Sequence, residues 1–569
     1  LNAEMSKAEA GNLPGPLNNA TQSNWVNIFQ GYLNLSAKLS HADSYVGCLV
    51  SQDVQDEAAR LLDGQMARFS ARLEGLWTRL NAAAAELSDT DWDSLMQNPE
   101  LKPVAFKLSE QRALAQQKLP ADLEALAAEL AADGYHAWDQ LYGTVSGLKQ
   151  VKFEEDGKLQ RKSLGQLQHK FMGDPDRGVR QRAFEAYQSA WEDLAPTVAL
   201  ALNYQAGFRL TLYRRRGWKS VLKEPLFNNR LSQDALDAMW GVIAAKSHKL
   251  LDYFDAKARL MGLNKLAWYD VSAPVGKTDR KFTFAEASDF IVDNIGRFNP
   301  DIADFCRMAV DNRWVESEDR SGKRAGAFCT GFPLNNQTRI FMTFDGSFNA
   351  LSTLAHELGH GYHNWVMRDL PYGARRYTMS VAETASTFNE LVVKDAALKI
   401  AADAQERLGL LSQKLDDAAG FMMNIRARYD FERAFFDKRG KGSLSIDELS
   451  NLMLKSQQVA YHNSLTKDGY FPLFWASKLH FYITRAPFYN FPYTFGYLFS
   501  YGVYNQALQE GPAFKDRYIA MLRDTGSMDT ETLARAHLGV DLTQPAFWES
   551  AVDGVLADVD TFVELAKMP

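Results

Sequence analysis

Residues 352–363 read STLAHELGHGYH, and the reading of that stretch decides how the rest of the chain is understood. It falls in a helical run, Ser352–Met367, and contains His356-Glu357-Leu358-Gly359-His360, an HExxH pattern. On a helix, positions i and i+4 share one face, so the two imidazoles converge about one turn apart. That spacing suits two ligands of a tetrahedral Zn²⁺. Glu357, one residue on, is placed to handle the proton of a water that the metal acidifies. Chance produces the pattern roughly once in a hundred chains of this length and composition. Gly359 costs a helix about 1 kcal/mol relative to Ala, and a small residue there lets another backbone approach the metal helix.

Two histidines leave a zinc site short of a third protein ligand. A longer three-histidine pattern would need Gly and His where this chain has His363 and Val366, and His363 reads as a channel-wall or packing residue rather than a ligand. The stretch Ser380–Glu390 instead offers Glu383 and Glu390, seven residues apart on one helical face. Either suits the metal, and the other would then orient a ligand from behind, as carboxylates commonly do for metal-bound histidines. Spacing alone does not choose between them.

Working outward, helical periodicity dominates. Apolar residues recur at steps of three and four from Leu61 to Leu80, and helical pattern returns over 174–189, 232–260 and 283–298. Two places break the rule. Val151–Gln160 carries Asp156-Gly157 between extended stretches, a hairpin signal. Arg339–Phe344 is apolar and β-prone, so it reads as a strand, preceded by a polar Gly-bearing loop. Residues 1–20, rich in Gly, Pro, Asn and Ala, read as a loose leader. The expectation is a mainly α protein of two lobes with a small β-sheet near the active site. Its parts are a flexible leader over 1–20, an N-terminal helical domain over 21–200 and a catalytic domain over 201–569.

Composition bounds the function. The chain has 569 residues, 46% of them hydrophobic and 23% charged, which suits a globular protein. A net charge of −7 argues against a dedicated nucleic-acid binder. Three scattered cysteines, Cys48, Cys306 and Cys329, point to a reducing compartment, and a cytoplasmic address is expected. No run of about 20 apolar residues calls for a membrane. Asp437–Glu448 has the first, sixth and twelfth residues of a calcium loop, but Arg439 and Lys441 stand where oxygen ligands are required. It reads as a plain helix–loop–helix connection.

The aromatic run Pro487–Tyr497, with His480 before it, has two readings. It is either core with phenols at its edge or a set of donors for the oxyanion formed when a carbonyl is attacked. The strand 339–344 and the loop Gly326–Thr330 read either as a cradle that holds an extended peptide by main-chain hydrogen bonds or as a packed, purely structural strand.

STLAHELGHGYH followed by VAETASTFNE resembles the M3 family of zinc metallopeptidases, and the oligoendopeptidase F branch most. KLAWYDVSAP (265–274), GAFCTGFPLNNQTRIFMTFDG (326–346), RYDFERAFFDKRGKGSLSIDEL (428–449) and APFYNFPYTFGYLFSYG (486–502) are similar too, so the resemblance covers residues 200–569 firmly and the N-terminal third weakly. It implies two helical lobes closing over a deep channel that admits short, unstructured peptides. One Zn²⁺ per chain would be held by His356, His360 and Glu383, with Glu390 orienting a ligand from behind and Glu357 as general base. His480 and Tyr497, with Tyr493 and Tyr489, would contact the substrate oxyanion, and Gly326, Ala327, Phe328 and Cys329 would bind the peptide. The implied activity is endopeptidase. An exo-acting carboxypeptidase or dipeptidase, or a non-catalytic peptide-binding protein, are the rival expectations.

Overall fold

The helices start where side chains can satisfy their first free amides. Ser347 accepts from the amide of Ala350 at 3.1 Å, and Ser163, Thr283 and Ser445 each make reciprocal boxes with a Gln or Glu three residues on. The structure is a computed structural model and describes residues 1–155, 157–277 and 280–568. It is mainly helical, as expected, with two small sheets.

The chain forms two compact units, each built of three separate stretches. The first comprises Leu1–Ala121, Arg280–Ala396 and Gln506–Val540. Its N-terminal core gathers Trp25, Phe29, Leu76, Leu80, Leu95 and Leu108 from helices Gln22–Gln52, Glu57–Ala85, Asp89–Met96 and Ala105–Ala115. The expected loose leader is corrected here, because Asn2–Ala10 is a helix with Met5 fully buried in that core. Its Glu9 pairs with Arg72 at 2.8 Å. Alanine and glutamate favour helix in these first ten residues, and the Gly and Pro that suggested a leader lie beyond them.

The three-stranded sheet of this unit orders β3 (Val315–Glu316), β5 (Gln337–Phe341) and β4 (Phe328–Phe332). β3 runs parallel to β5, and β4 runs antiparallel to it with Cys329 opposite Ile340. The expected strand thus begins and ends a little earlier than 339–344. The expected loop 326–330 is largely strand, because Phe328 and Thr330 join the β5 ladder. Asn336, at φ +52°, closes the turn between them. Helix Phe348–Val366 packs on both strands.

The second unit comprises Asp122–Asp279, Ala397–Asn505 and Asp541–Pro569. The boundary expected near residue 200 is corrected, since helix Arg177–Arg215 runs through it without a break. β1 (Gln150–Glu155) and β2 (Lys158–Ser163) form the antiparallel pair that the hairpin signal indicated. Asp156 lies outside the described residues, and Gly157 supplies the positive φ. The calcium-like stretch joins helices Ile425–Arg439 and Ile446–Ala460, and Asn203 pins it: its carbonyl accepts from Arg439 Nε and its side-chain oxygen from the Leu444 amide, both at 2.8 Å. Cys48, Cys306 and Cys329 are free thiols. No helix among the described residues is long and apolar enough to cross a membrane.

Candidate metal centre

Helix Phe348–Val366 presents His356 and His360 side by side, ring centroids 4.9 Å apart. The Nε2 atoms of both approach one oxygen, Glu383 Oε2, at 3.2 and 3.4 Å. Glu383 sits at the joint between the short helix Met379–Ala382 and helix Thr384–Lys399. Its Oε2 also accepts from Ser386 Oγ at 2.8 Å. Behind His356, Nδ1 donates to Glu390 Oε2 at 3.1 Å, and Lys394 holds the other Glu390 oxygen at 2.6 Å.

Gly359 explains how the third group reaches the first two. A Cβ at that position would lie 2.4 Å from Ala385 O and 2.6 Å from Ser386 Cα. Without one, the backbone that follows Glu383 packs directly on the histidine helix, as a small residue there led us to expect.

The charges are tightly coupled. Burial works against a charge on His356, but Glu383 and Glu390 outweigh it and push the imidazole up to about 10. Burial also opposes ionisation of Glu383 and Glu390, yet the imidazoles hold Glu383 well below the usual carboxylate range, and Lys394 with His356 brings Glu390 down to about 2. Glu357 is different. Burial raises its pKa, the imidazoles offset this only in part, and its Oε2 is buried with no hydrogen-bond partner among the described residues.

A cavity of about 350 Å³ opens on this cluster, walled by His356, Glu357, His360 and Glu383 on one side and by Ala327, Phe328 and Cys329 on the other. Of the four residues expected to bind peptide, three are therefore in its wall. Gly326 is not, and at φ +100° it turns the exposed chain into β4. Asn364, Tyr377 and Ala382 complete the wall and were missed by sequence reasoning. Asn364 carried a usable signal, four residues beyond His360 on the same helical face. Tyr377 carried none, since only tertiary packing brings it in. His363 is a packing residue as expected: it is fully buried, stacks on Tyr377 at 4.1 Å, and its Nε2 lies 2.9 Å from Thr525 Oγ1 and 3.1 Å from Leu522 O. Burial pushes it down to about 3, so it is neutral.

The remaining expected site residues belong to the second unit. There His480, Tyr489 and Tyr493 form one ring cluster, with centroids 5.6 to 6.0 Å apart. His480 is pushed down to about 4 by burial and by Arg428 and Lys478, and its Nδ1 is buried without a partner. Tyr497 follows Tyr493 by four residues on helix Phe491–Glu510, and its buried ring stacks on Phe421 at 4.3 Å.

The donor set fits zinc. Two imidazole nitrogens and one carboxylate oxygen, all within 4.8 Å of one another, are the ligands such a site uses. Metal–ligand bonds of about 2.0–2.1 Å at tetrahedral angles give edges of about 3.3 Å. The 3.2 and 3.4 Å separations match that edge.

Comparison with known proteins agrees in family and fold. A sequence model described as peptidase family M3 matches residues 170–553, and one described as oligopeptidase F matches 85–148. Oligopeptidase PepF of Bacillus subtilis is 27% identical over 416 residues, which is 72% of this chain and 61% of that protein. Group B oligopeptidase PepB of Streptococcus agalactiae is 24% identical over 546 residues, 94% of this chain and 89% of its own. Among solved structures, oligoendopeptidase-F from Enterococcus faecium superposes with a TM-score of 0.74 at 20% identity, over 99% of this chain and 97% of its own.

Proposed function

The chain belongs to peptidase family M3, and from that premise we propose that it is a zinc-dependent endopeptidase cleaving internal bonds of short, unstructured peptides. The observation that carries this reading is the meeting of His356, His360 and Glu383 at tetrahedral-edge spacing, with the unpartnered oxygen of Glu357 in the wall of the same cavity.

In this reading His356 Nε2, His360 Nε2 and Glu383 hold the metal. Bound there, zinc supplies Lewis acidity, polarising the scissile carbonyl and acidifying water. Glu390 accepts the Nδ1 proton of His356, which fixes the tautomer and leaves Nε2 free to act as a ligand. Glu357 takes the proton of the attacking water and passes it to the departing amine. Its raised pKa suits both halves of that transfer. The edge of β4, with Ala327, Phe328 and Cys329, offers main-chain groups to an extended peptide. We infer for His480, Tyr497, Tyr493 and Tyr489 the role of donors to the developing oxyanion, from their chemistry and from the resemblance of their stretch of sequence to the family. A His480 held neutral donates a hydrogen bond without needing to ionise.

The test is mass spectrometry of a mixed peptide pool incubated with the wild type and with Glu357→Gln. Internal cleavages that vanish in the variant support the reading. Ladders from one end would make the protein an exopeptidase, and peptide retention without cleavage, zinc being loaded, would make it a binding protein.

A further inference from the structure

Next to the metal cavity, in the same unit, lies a second cavity of about 270 Å³. Cys329, Asn364 and Tyr377 line both, so the two are neighbours that share part of their walls. The second is lined by three guanidiniums, Arg368, Arg375 and Arg376. Their contacts are with neutral groups. Arg368 stacks on Trp365 at 3.8 Å and donates to its carbonyl at 2.7 Å. Arg375 donates to Leu370 O at 2.7 Å and Asn336 Oδ1 at 3.0 Å, and Arg376 donates to Tyr372 Oη at 3.2 Å. The nearby carboxylate of Asp369 is hydrogen-bonded to Arg523 at 2.7 and 2.8 Å and acts on Arg368 and Arg375 only through its field. Among the described residues no carboxylate pairs with any of the three. Burial lowers the pKa of Arg375, a sign that its charge stands in a setting that water only partly relieves. Guanidiniums gathered this way, each with donors to spare, are a receptor for a planar anion.

We propose that this cavity is a specificity subsite that selects peptides bearing a carboxylate a few residues from the cleaved bond. The proposal rests on the peptidase reading. β4 supplies the path, because its first residues line the metal cavity and Thr330, Gly331 and Phe332 line the arginine cavity. The outer edge of β4 is closed at Gly331, whose carbonyl accepts from Ser44 Oγ at 2.8 Å. A peptide added along the strand therefore leaves its edge at the arginine cavity. At about 3.3 Å per residue, that is about two to four residues from the scissile bond. At about 270 Å³ the cavity has room for an Asp or Glu side chain, or a terminal carboxylate, with bridging water.

The test is a set of fluorogenic peptides scanned with Glu against Gln at each position, each made as a C-terminal acid and as an amide. One register should show KM about 10- to 100-fold lower for the carboxylate, with kcat little changed. A Glu/Gln effect identifies a side chain, and an acid/amide effect identifies the C-terminus. Arg375→Gln and Arg376→Gln should bring that ratio close to one. Arg376→Glu should favour Lys at the same register, a gain that a misfolded variant cannot deliver. Equal KM for acidic and neutral peptides in the wild type overturns the subsite while leaving the peptidase reading intact. If the wild type cleaves no peptide at all, both fall.

Discussion

Glu357 and Glu432 are both buried carboxyls, and what each touches sets its expected behaviour. Glu357 lines the metal cavity and lacks a partner for Oε2. Glu357→Gln keeps the shape and removes the base, so it should retain zinc and lose about 10²- to 10⁴-fold in kcat. Metal analysis beside steady-state kinetics checks both halves. Glu432, in the second unit, accepts from Asn490 at 3.2 Å, and burial pushes its carboxyl up to about 8 from an ordinary value of 4.5. The folded protein therefore binds a proton there that the unfolded chain releases above pH 4.5. The resulting stability is fully present below that pH and is lost as pH rises toward 8. Glu432→Gln should flatten the fall of Tm between pH 5 and 8, as differential scanning calorimetry would show. An unchanged slope would mean that Glu432 is ionised in the fold.

At the scale of the element, the site is a contact between two helices with a glycine at the crossing. A Cβ on residue 359 has 2.4 Å to Ala385 O and backbone on every near side, so nothing flexible can yield. Gly359→Ala should push helix Thr384–Lys399 away and carry Glu383 with it. The expected result is about 1–3 kcal/mol of destabilisation together with weaker zinc binding, read by denaturant titration and by competition with a chelating dye. A loss of stability with unchanged zinc affinity would separate the crossing from the ligand. Glu383, at the start of that helix, and Glu390, within it, should also part. Glu383→Ala should lose the metal, whereas Glu390→Ala should weaken it by about 10- to 100-fold by freeing the His356 ring. The reverse order would exchange their roles.

For the whole molecule, the division into two units predicts a selective response to metal. The three proposed ligands all lie in the first unit, so zinc held there would stabilise the fold of that unit by linkage, about 2.7 kcal/mol at a hundred-fold excess over Kd. Chelation should lower the unfolding transition of the wild type and leave Glu383→Ala unmoved. A chelator that shifts both equally would be acting on something other than this centre.

What the chain reveals in one dimension is what helix geometry makes local. His356 and His360 share a face because of the helical repeat, and Glu357 follows from its place between them. Gly359 announces a close neighbour by costing the helix something it would not otherwise accept. Glu383 and Glu390 could be shortlisted but not ranked, because their roles depend on which oxygen meets the imidazoles, and that is set by the crossing at Gly359. Periodicity also identifies the helices, yet it says nothing of which units they join, so a boundary near residue 200 fell inside helix Arg177–Arg215. The docking of Asn2–Ala10, the entry of Tyr377 into the metal cavity and the meeting of the arginine segment 368–376 with β4 and Ser44 belong to tertiary structure alone. Each brings together segments that the sequence separates, and their meeting is favoured by burial and packing, forces that leave no periodic trace along the chain.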